Sequence, residues 1–156
     1  MRTPAINMWF VAAAVNLTAC SAMAPEKEAI VATSKERVDG AAIVKRVGLD
    51  LPADATIEFS ERIDGRDEAA RLIVVMSDGD WQALISDLAP SGSDQPPFSS
   101  DANFHLGPDE GGWEPSLAKG LKTMQIPWKN GREALNLGVE STQAGHVRLF
   151  VFWHEI

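Results

Sequence analysis

Few side chains in this chain stand at spacings that suit chemistry. Ser116-Leu117-Ala118-Lys119 puts a hydroxyl and an amine three residues apart. On a helix they would share a face, so the lysine could deprotonate the serine for nucleophilic attack. His105, Asp109 and Glu110 offer one imidazole and two carboxylates, a chemically reasonable cation set. Their spacing fits no helical face, and a solvated polar loop is the simpler reading. Asp78 and Asp80 are paired acids, but Ser77 with Asp80 three residues on reads as a helix N-cap. Asp64, Asp67 and Glu68 form an acidic turn without the spacing of a calcium loop. His146 and His154 sit near the ends of a strand pattern, where a ligand role has no partner. No metal and no cofactor is expected.

The Ser116-x-x-Lys119 spacing resembles one element of the penicillin-binding proteins and serine β-lactamases. Those proteins also need a Ser-x-Asn-like and a Lys-Thr-Gly-like element. Lys122-Thr123 is followed by Met124 and lies too near to form a facing strand, so a capped turn is the expectation for Ser116 and Lys119. A glycine-rich phosphate loop, a nucleophile elbow and a basic patch are all missing. Trp113, between Gly112 and Glu114, has two readings. Exposed, it would anchor a partner. Folded back, it would cover an open sheet face, which is the preferred reading because a sheet with one good helix needs a second cover.

One thiol remains, Cys20, at the end of an apolar run from Ile6 to Ala19. Arg2 precedes the run, which is shorter than the ~20 residues needed to span a bilayer and fits the core of a secretory signal. Cleavage after Ala22-Met23-Ala24 would leave Pro25 first, and its fixed φ and missing N–H suit a protease subsite poorly. Leu17-Thr18-Ala19-Cys20 resembles the lipobox of bacterial lipoproteins. The resemblance implies peptidase recognition of Leu17, Thr18 and Ala19, removal of residues 1–19, diacylglycerol on the Cys20 sulfur and an acyl group on its new α-amine. Two or three buried acyl chains, at about 0.8 kcal/mol per methylene, hold a protein at a membrane effectively permanently. The resemblance further implies, by the sorting of enteric-type lipoproteins that carry serine after the cysteine as Ser21 is here, the periplasmic face of the outer membrane, with the outer surface of the cytoplasmic membrane as the alternative. Lipidation of Cys20 also removes cysteine nucleophiles, thiolate metal sites and disulfides from consideration.

Without residues 1–19 the chain carries 13 basic and 22 acidic side chains, a net charge of −9. That balance opposes nucleic acid and anionic lipid head groups. The expectation is an envelope protein with a non-catalytic binding or structural domain, which meets the membrane through its lipid and other envelope proteins as partners. The alternatives are an acidic inhibitor or immunity-type module for a basic envelope enzyme, and a small hydrolase using Ser116 and Lys119.

The elements that must position these residues read as α+β. Residues 20–40 form a lipidated tether with a weak helix over Glu26–Val38, and residues 41–156 a single domain. Ala41–Val47 is a short helix stopped by Gly48 and Pro52. Ala55–Ile63 alternates, with Ile57, Phe59 and Ile63 on one face. Arg71–Met76 answers it across the 64–67 turn as a hairpin. Trp81, Leu84, Ile85 and Leu88 recur at helical spacing before Pro90. Residues 90–120 hold five prolines and five glycines without periodicity; a connection this long is usually functional or disordered, and Phe98, Phe104 and Trp113 are aromatics that a purely disordered linker tends to lack. Leu121–Trp128, Arg132–Glu140 and His146–Glu155 form a three-stranded meander, its first turn a two-residue type I′ hairpin at Asn130-Gly131. Apolar side chains on both faces of the last strand make it central. The predicted architecture is one antiparallel sheet of about five strands, one firm helix and a shorter one ahead of the first strand.

Overall fold

The computed structural model describes residues 34–88, 105–142 and 145–156. The leader, Cys20 with its flanking Leu17, Thr18, Ala19 and Ser21, most of the tether, and Phe98 and Phe104 lie outside the described residues. Among the described residues no helix is long and apolar enough to cross a membrane.

The class is α+β, and among the described residues the sheet has six antiparallel strands rather than about five. In chain order they are β1 Ser34–Arg37, β2 Thr56–Asp64, β3 Ala69–Ser77, β4 Lys122–Trp128, β5 Glu133–Ser141 and β6 His146–Glu155, arranged β1-β2-β3-β6-β5-β4. The additional strand is β1, inside the stretch read as a weak helix. All four of its residues are exposed, and Ser-Lys-Glu-Arg has no apolar stripe for a helix to bury. Pairing with β2, from Ser34 with Asp64 to Arg37 with Glu61, satisfies its backbone instead. The fold thus begins before residue 41.

Two helices lie on the first face. Asp39 N-caps α1 (Gly40–Val47), its side chain accepting from the Ala41 N–H at 3.1 Å. Gly48 ends it at φ 81°, a left-handed position that suits glycine. Ser77 caps α2 (Asp78–Leu88), its hydroxyl accepting from the Asp80 N–H at 3.1 Å while donating to the Asp80 carboxylate. Ile43, Val47, Trp81, Leu84 and Ile85 from the helices pack on alternate residues of the sheet, such as Leu72, Val74, Leu149 and Val151. Trp128 donates its indole N–H to the Val47 carbonyl at 2.8 Å, and Lys129 Nζ donates to the Arg46 carbonyl at 3.0 Å, tying the β4–β5 turn to the end of α1.

β6 is central, paired with β3 on one side and β5 on the other. Val147, Leu149, Val151 and Trp153 serve the helix-covered core, while Phe150 serves a second cluster on the opposite face. Two expectations need correction. Glu58 forms a bulge, because Ile57 pairs with Val74 and Phe59 with Ile73. The extra residue reverses the alternation, so Ile57 packs on the first face and Phe59 on the second. The β4–β5 turn is also longer than a two-residue hairpin. Pairing stops at Trp128 and Glu133, and Lys129, Asn130 and Gly131 all have positive φ (42°, 63° and 76°). Three successive left-handed residues cannot continue a strand, so the ladder ends there; beside the turn the Glu133 side chain accepts from the Trp153 indole at 2.6 Å and pairs with Lys129 at 3.2 Å.

Candidate functional site

The second face of the sheet is covered by a strap of chain from His105 to Leu121, in which the single 3-10 turn Pro115–Leu117 is the one complete helical element among the described residues. A wedge holds it. Trp113 is fully buried, its indole N–H donating to the Leu106 carbonyl at 3.1 Å. Its ring meets Phe150 edge-on at 5.6 Å and Phe59 at 6.2 Å. Trp113 therefore covers the sheet, and no face of its ring is left to anchor a partner. The strap reverses at Gly111 and Gly112, with Glu110 and Trp113 bonded to each other through both backbone N–H groups at 2.7 and 2.8 Å. Positive φ at both glycines (59° and 96°) makes this tight turn. A Cβ on Gly112 would stand 3.2 Å from the Arg37 guanidinium and 3.4 Å from the Phe59 ring, so glycine also permits the close approach.

Charged side chains on the sheet grip the strap tip. Lys35 pairs with Glu110, and Arg37 donates to the Gly111 carbonyl at 2.9 Å. The Lys35 hydrogen bond and charge, with Arg71 adding to them, hold the Glu110 carboxyl below its ordinary value. Beneath lies a buried pair, Arg71 and Glu61, 3.4 Å apart with side chains 6% and 9% exposed. The Arg71 guanidinium stands 5.5 Å from the Trp113 ring and 5.6 Å from that of Phe152. Glu61 stands at an inward register of β2, between Phe59 and Ile63, and Arg71 is its cross-strand partner. A carboxylate interrupting an apolar face was the available signal for this pair.

Between strap and sheet a cavity of about 430 Å³ opens to solvent. Phe59, Ile73 and Phe150 form its apolar floor. On one wall Arg148 joins Glu58 at 3.0 Å and Glu140 at 3.8 Å. Glu140 also accepts from the Lys119 backbone N–H at 2.7 Å, fastening the far end of the strap. Arg37, Glu114 and Leu117 stand at the rim. This site rests on the bulge at Glu58, which turns Phe59 inward and brings the Glu58 carboxylate to Arg148.

The remaining candidate residues fall elsewhere. Ser116 lies in a single 3-10 turn, Pro115–Leu117, and both its N–H and its hydroxyl donate to the Asp109 carboxylate. The chain is extended at Ala118, so Ser116 and Lys119 do not share a helical face. Asp109 and Glu110 are engaged separately, with Ser116 and Lys35, and do not converge with His105 as a cation set. Among the described residues no three His, Cys, Asp or Glu side chains come together. Asp80 serves the α2 cap, His146 is exposed, and His154 stacks near Phe152 at 5.3 Å.

On the helix-covered face a second charged cluster is structural. Arg46 of α1 reaches Glu68 and Glu155 at 2.9 Å each and Glu133 at 3.5 Å, over the Trp153 ring at 4.4 Å. Burial pushes the Glu133 carboxyl up, but the N–H of Trp153 and the ammonium of Lys129 outweigh it, so its pKa lies below the ordinary value. Comparison with known proteins finds no matching family model, no matching curated protein and no matching solved structure.

Proposed function

We propose that this protein is a bacterial envelope lipoprotein whose domain is a non-catalytic binding module, with the strap-covered cavity as its binding site. The cavity carries the reading. It combines an apolar floor with a few fixed polar groups at a size suited to a ligand. Its polar groups are largely engaged with one another, which supports a binding role: Arg148 is neutralised by Glu58 and Glu140, and the hydroxyl of Ser116, next to Leu117 in the chain, is bound to Asp109. The lipobox-like Leu17-Thr18-Ala19-Cys20 supports attachment through acyl chains on Cys20, at the periplasmic face of the outer membrane. Removal of a leader ending at Ala19 leaves 13 residues between Cys20 and β1, long enough at up to ~3.5 Å each to hold the domain clear of the lipid head groups.

The test is photo-crosslinking in the native host, with a benzophenone amino acid at the cavity rim (Leu117) or at a control site in the β2–β3 turn (Arg66). Adducts specific to the Leu117 position are expected. Equal adducts from both positions, or adducts from Arg66 alone, would remove the cavity as the binding site.

A further inference from the structure

The cavity's own chemistry narrows the occupant, resting on the reading of the domain as a binding module. Three groups at the rim have capacity left over. The Glu114 carboxylate has no hydrogen bond or ion pair among the described residues, whereas the other two cavity carboxylates hold Arg148. Arg37 uses one N–H on the Gly111 carbonyl and lays its guanidinium over Phe59 at 4.2 Å, leaving further donors exposed. Leu117 is 70% exposed, and among the described residues only Ile156 is a comparably exposed large hydrophobic side chain.

Each leftover group excludes a ligand class. An anion would meet three carboxylates against two guanidiniums, one of which is already neutralised. A purely apolar ligand would cover Glu114 without giving it a partner, and desolvating an unpaired charge is costly. A simple amine would satisfy Glu114 but leave the Arg37 donors and the Leu117 methyls unused. A peptide answers all three, with a carbonyl accepting from Arg37, a basic side chain at Glu114 and an apolar one against Leu117 and the Phe59–Phe150 floor. The net charge of −8 over the whole chain favours encounter with a basic partner.

We propose that the cavity binds an extended segment of a partner protein carrying a lysine or arginine beside an apolar side chain. About 430 Å³ accommodates the side chains of a few residues, so the recognised unit is short.

The test uses the full chain in detergent and three fluorescent pentapeptides, Gly-Leu-Lys-Leu-Gly and its counterparts with Gln or Glu at the centre, followed by anisotropy. The lysine peptide is expected to bind at least about threefold tighter than the glutamate peptide, since an exposed ion pair is worth a few-fold and repulsion opposes the alternative. Glu114→Lys should reverse that order, and both Glu114→Lys and Leu117→Ala, at exposed positions, should leave unfolding midpoints unchanged. Comparable binding of all three peptides, lost in Leu117→Ala, would overturn the basic occupant while leaving the cavity a binding site. Lysine-peptide binding indifferent to Glu114→Lys would also overturn it. Binding of no peptide, together with no Leu117-specific crosslink in cells, would remove both this proposal and the binding reading.

Discussion

Trp113→Ala is the most informative perturbation of the fold, because this one side chain is the strap's central anchor on the sheet. The ring is fully buried. Truncating a buried tryptophan to alanine costs about 3–5 kcal/mol. Within that figure lie the edge-on contact with Phe150, worth about 1 kcal/mol beyond area, and the indole bond to Leu106, worth about 1 kcal/mol. We take about 4 kcal/mol as the expectation, a large part of the ~5–15 kcal/mol that holds a domain folded. With a urea slope near ~2 kcal/mol per molar, the unfolding midpoint should fall by about 2 M. Circular dichroism during urea titration of the full chain reads the midpoint, and amide exchange at Leu106 and Trp113 reports whether the strap loosens first. Trp113→Phe keeps an aromatic wedge and loses the indole donor, so it should sit between the two. A Trp113→Ala midpoint within about 0.3 M of wild type would refute the wedge.

Other expectations follow from single contacts. Gly138→Ala places a methyl 2.5 Å from a Leu106 methyl and 3.2 Å from one of Leu121, so overpacking should cost about 1–3 kcal/mol in the same titration. Asp39→Ala removes the α1 cap and should cost about 1 kcal/mol, whereas Asp39→Asn should be nearly silent. The lowered Glu133 pKa gives stability that is fully present above the ordinary value of 4.5 and is lost as pH falls through the folded value. Urea midpoints measured from pH 6 to pH 3 should therefore drop more steeply for wild type than for Glu133→Gln; parallel curves would show that Glu133 is not held as a carboxylate.

Elements whose pattern is local were legible in the sequence. β6 is apolar on both faces, which only a strand covered on both sides requires, and α2 carries Trp81, Leu84 and Ile85 at helical spacing behind a Ser77 cap. What escaped depends on distant contacts. β1 has no apolar pattern and exists because β2 offers an edge. The bulge at Glu58 reverses which residues face inward without any change of composition, and it separates Ile57 from Phe59. The strap has no period because a wedge, a diglycine turn, and an ion pair and a hydrogen bond from β1 hold it. The cavity follows from those same three features, so its residues, scattered from Arg37 to Phe150, carried no joint signature. Trp113 had two readings in the sequence, partner anchor and sheet cover, and its burial against Phe59 and Phe150 agrees with the cover.

The proposal that this domain is attached to a membrane through Cys20 is tested most directly by the mass of the N-terminal peptide released from the protein purified from its host. A first residue of Cys20 bearing a thioether-linked diacylglycerol and an amide-linked acyl chain is the expected result. An unmodified Cys20 still joined to Ala19, or a chain beginning at Pro25, would contradict it.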